Sequence, residues 1–277
     1  MAKRACVVLA ASALAGCASV FFQPDNWVAQ PPQTLGVKYE NVHFASEDKT
    51  DLNGYFFPSI RTPAAGTVVH FHGRAQNVTF HYALSSWLAR EGFNVFAFDY
   101  RGYGESGGTP SMEGAVEDGA AALFYAAQRS DVDPAKMAVL GQDVGAALAI
   151  ASVVVSSMTG IKALVLEDAF DSYRSLAKAV LRSNPLTWLF QTLPYLAVTG
   201  RYAPAQYIGR LPSCRLLFIH GEDDRTVPIS EGLRLFERAP EPKEFWRVPA
   251  GHLEAFSAQR SVYGPKLVLF LKEALAQ

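Results

Sequence analysis

The stretch Lys136 to Ser156, KMAVLGQDVGAALAIASVVVS, constrains this chain more than any other. A short apolar run, Met137 to Leu140, breaks at Gly141-Gln142-Asp143-Val144-Gly145 and continues as roughly a dozen small and aliphatic residues of helical length, which reads as strand, sharp turn and buried helix. Two glycines flanking one central residue at such a junction are what a nucleophile elbow needs. The turn strains the central backbone, and only glycine tolerates the close strand-to-helix packing. The elbow form is G-x-S-x-G, and here the central residue is Asp143. What this chain does turns largely on what an aspartate does there.

At 277 residues, 49% apolar and 18% charged, the chain can bury one sizeable core, so one catalytic-sized domain is expected. Lys plus Arg number 25 against 26 Asp plus Glu, which offers no field to attract nucleic acid or an anionic membrane. Nucleic acid is set aside as a partner.

The first residues read as a targeting segment. Lys3 and Arg4 precede an apolar run from Ala5 to Ala15 that is too short to span a bilayer. Its end, Leu14-Ala15-Gly16-Cys17, resembles the lipobox of bacterial lipoproteins, which implies cleavage before Cys17 and acylation of that cysteine; plain signal cleavage nearby is the alternative. Ala18 after the cysteine resembles the outer-membrane class, so the expected place is the cell envelope, anchored by lipid and facing the periplasm. With Cys6 removed and Cys17 acylated, Cys214 has no intrachain disulfide partner.

Residues 18–36, with three prolines and little periodicity, read as a tether between lipid and domain, and the domain is expected over 37–277. Val42 to Phe44 and Leu52 to Phe57 flank a polar turn and suggest an antiparallel pair at a sheet edge. Thr67 to His72 reads as a buried strand, Val78 to Glu91 as a helix, Phe93 to Asp99 as a strand and Met112 to Arg129 as a helix. Beyond the elbow come a strand at Ala163 to Leu166, an aromatic-rich cap at about 172–212, a strand at Arg215 to His220, a helix at Ile229 to Arg238, a strand at Phe245 to Val248 and a helix from about Tyr263 to Ala276. Alternating strands and helices with continuously apolar strands mean an α/β fold with a mostly parallel sheet covered on both faces. No internal repeat is visible.

Five motifs in order, His70-Phe71-His72-Gly73 with Arg74, DYRGYGESGG from Asp99, LGQDVG at the elbow, HGEDDRTVP from His220 and AGHLEAF from Ala250, resemble the α/β-hydrolase fold. Within it they resemble the Bem46-like branch of small-capped serine hydrolases, over nearly everything after Tyr39. The resemblance implies an eight-stranded, mostly parallel sheet with helices on both faces and a small helical cap. It implies that Asp143 stands where that branch has its serine, His252 where it has its base, and Asp224 where it has the orienting acid, with Glu167 or Asp168 as alternative acids after the sixth strand. The backbone N–H groups of Arg74 and Val144 match its oxyanion hole.

An ionised carboxylate needs no base to attack. On an ester it would give a reactive anhydride, whereas on carbon bearing a halide or an epoxide it gives a stable ester that His252, held by Asp224, can hydrolyse with water. Epoxide hydrolases and haloalkane dehalogenases of this fold use aspartate in this way. Val144 and Arg74 stand where the dehalogenases carry a tryptophan and an asparagine, which argues for epoxide opening, with Tyr173, Tyr195, Tyr202 and Tyr207 as proton donors by type. Three readings stay open: an Asp143-nucleophile hydrolase acting on a small apolar substrate, a catalytically silent binding or scaffolding relative in which Asp143 is a comfortable helix cap, and residual esterase-type acyl hydrolysis. Ser106 in Gly104-Glu105-Ser106-Gly107-Gly108 matches the elbow pattern literally but follows strand four in a glycine-rich loop, so it reads as a loop residue. No cofactor is called for: there is no phosphate loop, and His43, His70, His72 and His81 lack the spacing of a metal site.

Overall fold

The apolar runs become the centre of one eight-stranded sheet in the computed structural model, which describes residues 21–183, 188–194, 198 and 200–276. The strands are β1 (Glu40–Ala45), β2 (Asp51–Phe57), β3 (Thr67–Phe71), β4 (Asn94–Phe98), β5 (Met137–Gln142), β6 (Ile161–Glu167), β7 (Arg215–Gly221) and β8 (Lys243–Val248). Their order across the sheet is 8-7-6-5-3-4-2-1. The pairs from β4 to β8 are parallel, while β2 pairs antiparallel with both β1 and β4. This is the α/β-hydrolase fold, with a mixed central sheet and the expected antiparallel pair at one edge.

Every residue of β3, β4 and β5 is buried, as it must be where helices cover both faces. Helices α1 (Met112–Gln128) and α2 (Val144–Ser156) join Phe71, Phe96, Phe98 and Val139 in the core on one face. On the other face, Leu267 and Leu271 of the last helix, α5 (Arg260–Leu275), pack with Val68, Val95, Leu140 and Val165. Between β6 and β7 the chain forms α3 (Tyr173–Ser183) and short turns of helix at Trp188–Phe190, Pro204–Tyr207 and Ile208–Arg210. Helix α4 (Ile229–Arg238) follows β7.

Two expectations change. The helix read over 78–91 is a single α turn, Val78–His81, followed by 3-10 turns at Tyr82–Leu84 and Ser86–Ala89. Tyr82, Ser85 and Leu88 are each fully buried, and a spacing of three keeps them on one face only when the backbone tightens to three residues per turn.

The tether read over 18–36 is, from Phe21 onward, part of the folded domain. Phe21 and Phe22 are buried, and Gln23–Pro24 pairs in parallel with Ala75–Gln76 just past β3. The segment read as a targeting signal, with Cys6 and Cys17, lies outside the described residues, as does Tyr195. Cys214 is buried. Among the described residues no helix is long and apolar enough to cross a membrane.

Candidate active site

β5 delivers Asp143 to the rim of the sheet in the strained conformation that an elbow requires, with φ 53° and ψ −121°. Such a backbone costs on the order of 1–3 kcal/mol and persists only where its surroundings hold it. The flanking glycines do the holding. A Cβ on Gly145 would lie 2.3 Å from the carbonyl oxygens of Phe71 and His72, and one on Gly141 would lie 2.6 Å from Ala146 Cα. Sheet pairing adds to this, since Asp143 N–H donates to Glu167 O at 3.0 Å. Val144 opens α2, so its N–H belongs to the first turn, whose donors have no acceptor within the helix.

The Asp143 side chain is buried and its two oxygens differ. Oδ2 accepts from the Arg74 backbone N–H at 3.4 Å and lies 3.6 Å from the Arg74 Nε. Oδ1 is buried with no hydrogen-bond partner. Arg74 therefore meets Asp143 with both its amide and its guanidinium; the amide was legible in the sequence and the side chain was not. Tyr103 Oη donates to Arg74 O at 2.6 Å. A Cβ at Gly73 would lie 3.6 Å from both Asp143 Cβ and Leu253 Cδ1, so the elbow and the loop bearing His252 face each other across this glycine.

His252 Nδ1 lies 2.7 Å from Asp224 Oδ2 and 3.4 Å from Asp168 Oδ2. Asp224 comes from the loop after β7, where its Oδ1 accepts from the N–H groups of Thr226 and Val227 at 2.7 and 2.9 Å. Asp168, at φ 51° past β6, accepts from Leu253 N–H at 2.6 Å and from Gly221 N–H at 3.0 Å, so it ties the histidine loop to the end of β7. Burial opposes charging the His252 ring, but the hydrogen bond to Asp224 and the charges of Asp143, Asp224 and Asp168 together lift its pKa to about 9. At neutral pH the ring is imidazolium, beside an aspartate.

A row of buried polar groups under the elbow escaped sequence reasoning. Ser85 Oγ lies 2.9 Å from His70 Nδ1, His70 Nε2 lies 2.7 Å from Gln142 Oε1, Gln142 Nε2 donates to Glu167 Oε2 at 2.6 Å, and Ala255 N–H donates to Glu167 Oε1 at 3.2 Å. Because Gln142 spends its NH2 on Glu167, its oxygen faces His70, which makes Nε2 the protonated nitrogen and Nδ1 the acceptor of the Ser85 hydroxyl. Burial keeps His70 neutral, with a pKa near 3, and burial followed by the Asp168 charge raises that of Glu167. Glu167 is thus committed to Gln142 and Ala255, not to His252. The signal in the sequence was only that Gln142 and Glu167 immediately precede Asp143 and Asp168.

Other candidates fall into place around this core. Ser106 Oγ donates to Asp99 O and accepts from Asn53 N–H, both at 2.9 Å, which makes it a brace for the loop after β4. Tyr173 is fully buried and its hydroxyl has no partner; burial and then the Asp143 charge raise its pKa. Tyr202 stacks on Tyr207 at 5.8 Å between ring centres. Asp168, His220 and Asp224 bring ligand atoms within 4.8 Å of one another. Those atoms already serve the fold: His220 Nε2 donates to Val227 O at 2.9 Å, and the carboxylates hold Gly221 and His252.

Sequence comparison matches residues 62–210 to the family described as serine aminopeptidase, S33 (Hydrolase_4). That stretch holds Arg74 and the elbow and ends before Asp224 and His252. YfhR of Escherichia coli O157:H7 is 35% identical over 260 residues, covering 92% of this chain and 87% of that protein. Protein bem46 of Schizosaccharomyces pombe is 28% identical over 220 residues, covering 79% and 71%. Among solved structures, the Pyrococcus furiosus esterase Pf2001 superposes with a TM-score of 0.72 over 92% of this chain and 98% of its own, at 22% identity, which speaks for the fold alone. With the elbow, the late histidine and the sheet order already in hand, the extent of these matches means that the chain belongs to the Hydrolase_4 family of α/β hydrolases and has Bem46-like relatives.

Proposed function

We propose that this protein is a hydrolase that works through a covalent ester on Asp143 and opens a carbon–oxygen bond of the epoxide type in a small apolar substrate. The observation that carries this reading is the inequality of the two Asp143 oxygens. Oδ2 already faces the Arg74 amide, where the oxygen of an acyl intermediate belongs, while Oδ1 has no hydrogen bond to give up before it attacks. In the first step Oδ1 bonds to a ring carbon, the ring C–O bond breaks, and the departing oxygen takes the proton of the His252 imidazolium, which leaves that ring neutral. The product is a hydroxyalkyl ester.

Esterification also removes one of the charges that favour the protonated ring, so the neutral form left by that transfer is less readily recharged. Neutral His252 then takes a proton from water as the water oxygen adds to the ester carbon. The oxyanion on Oδ2 meets the N–H groups of Arg74 and Val144, the carbon–Oδ1 bond breaks, and the diol leaves. Carboxylate and imidazolium are restored, so protons balance over the cycle.

A second reading has one observation in its favour. The guanidinium of Arg74 and the imidazolium of His252 together neutralise the Asp143 neighbourhood, as they would in a silent binding relative. The experiment that separates the two is exposure of Asp224→Asn, which keeps the imidazole but slows hydrolysis of the ester, to a panel of epoxides. The covalent reading expects the peptide bearing Asp143 to gain the mass of one substrate molecule, and absence of any adduct across the panel favours the binding protein.

The N-terminal sequence supports a lipid anchor on Cys17 and a place in the cell envelope, at the outer membrane facing the periplasm. Incorporation of labelled palmitate that is lost in Cys17→Ala tests this.

A further inference from the structure

The segment from Phe21 to Gln30 is laid against the loop that carries the oxyanion donor, and its contacts converge on Arg74. The Arg74 carbonyl accepts two hydrogen bonds, from the Gln23 N–H at 2.9 Å and from Tyr103 Oη at 2.6 Å. The same Gln23 N–H also lies 3.1 Å from Tyr103 Oη, which closes a three-membered group around that one carbonyl. On the far side, Asn77 Nδ2 donates to the carbonyls of Asp25 and Trp27, each at 2.8 Å, and Ala29 N–H donates to Thr79 Oγ1 at 3.0 Å. Asp25 N–H bonds Gln76 O at 3.1 Å, and Asp25 O accepts from Gly104 N–H at 3.2 Å. The Phe21 ring packs edge-on against Tyr173 at 5.1 Å between centres, and Phe22 against Tyr103 at 6.4 Å.

Elsewhere the loop is tied by Tyr100 Oη, which donates to His72 O at 3.1 Å, and by His81 Nε2, which donates to Ala75 O at 3.0 Å, while the Arg74 carbonyl between them is held by Gln23 and Tyr103. β3 ends at Phe71, so the two peptide groups of Arg74 lie beyond the main sheet. One of them offers the N–H that faces Asp143 Oδ2, and the next carries the carbonyl that the N-terminal segment grips. Fixing the carbonyl restricts rotation of the Arg74 backbone and so fixes the direction of its N–H.

We infer that residues 21–30 form a strap that is a working part of the active site, with the Gln23 backbone N–H as the positioning group for the Arg74 oxyanion donor. The inference rests on the proposed function only in taking Arg74 N–H as that donor. It gives the N-terminal segment a task other than spacing, because any displacement of the strap moves the donor. Gln23 suits a test, since its side chain is exposed and only its amide acts on Arg74. Gln23→Pro deletes that amide, and Gln23→Ala keeps it.

Two measurements on the full chain decide the matter. In an Asp143→Ser background, labelling of the new serine by a serine-directed phosphonate reads the oxyanion donors directly. Gln23→Pro is expected to slow labelling by about tenfold or more relative to Gln23→Ala, a fraction of what loss of a whole donor costs. Equal rates overturn the strap. If the Asp143→Ser protein is not labelled at all, the proposed function loses its oxyanion hole, and amide hydrogen exchange in the Asp143 protein decides on the strap. There Gln23→Pro is expected to speed exchange at Arg74 and Ala75 by about tenfold over Gln23→Ala. Equal exchange overturns the inference. Should Gln23→Pro fail to fold, Phe22→Ala, which loosens the strap by packing alone, is put through the same two measurements, and native rates in both overturn it.

Discussion

Asp143 and Arg74 meet twice: the carboxylate Oδ2 lies 3.4 Å from the arginine amide nitrogen and 3.6 Å from its Nε. The first contact belongs to the backbone and survives any substitution of the side chain, whereas the second is an ion pair between a buried carboxylate and a guanidinium that is 20% exposed. A double-mutant cycle separates them. Arg74→Met is expected to lower stability at neutral pH by about 2 kcal/mol, because it leaves a buried charge short of a partner. In an Asp143→Asn background the same change is expected to cost less by about 1 kcal/mol or more. Urea unfolding of the four proteins measures the coupling, and additive effects refute the pairing.

The three carboxylates around His252 set a direction for pH dependence. The ring titrates near 9 in the fold against an ordinary 6.5, so the charged form favours the folded state. That contribution is complete below about 6.5 and disappears as pH rises through 9, and a shift of this size corresponds to about 3 kcal/mol at most. The urea midpoint is expected to fall between pH 6.5 and 9, and His252→Gln to flatten that fall. An NMR titration of the ring is expected to move to lower pH in Asp143→Asn. A midpoint unchanged by that substitution counts against the charge coupling that the mechanism uses.

Two acids contact the same nitrogen and are expected to behave differently. Asp224 accepts the short bond at 2.7 Å and faces no other side chain so closely, so Asp224→Asn should slow hydrolysis of the Asp143 ester by about three to four orders of magnitude by disturbing tautomer and orientation. Asp168 spends its oxygens mainly on Leu253 and Gly221 N–H groups, so Asp168→Asn should affect stability more than the hydrolytic step. Trapped-ester lifetimes set beside melting temperatures tell the two apart, and reversal of the pattern would make Asp168 the orienting acid.

The buried row beneath the elbow makes a separate prediction. Gln142→Leu is close in volume but leaves the His70 N–H and the Glu167 carboxyl without a shared partner, and is expected to cost about 2–4 kcal/mol. Adding His70→Leu removes one orphaned donor and should recover part of the loss. Thermal unfolding of the single and double variants checks this, and a Gln142→Leu protein as stable as the parent would show that water or relaxation satisfies the row.

Much of this molecule was legible in order along the chain because its signals are local. Gly141, Asp143 and Gly145 sit within five residues, so their spacing states a strand, a strained turn and a helix before any partner is known. The strand limits followed from continuous apolar runs for the same reason, and His252 and Asp224 stood out because each lies in a short motif of its own. The helix read over 78–91 went astray because a spacing of three, which the 3-10 turns obey, is close to the 3.6 of an α-helix over so few residues.

By itself the sequence determined the architecture and the unusual residue at its elbow, since periodicity and glycine spacing act through backbone sterics that need no distant partner. Tertiary structure alone decided what surrounds that residue. The grip of Gln23 on Arg74, the guanidinium beside Asp143, the two acids on His252 and the row from Ser85 to Ala255 all join residues far apart in the chain. Hydrogen bonds and ion pairs act over a few ångströms and depend on direction, so which of many polar side chains become partners is fixed only once the sheet has brought their strands together.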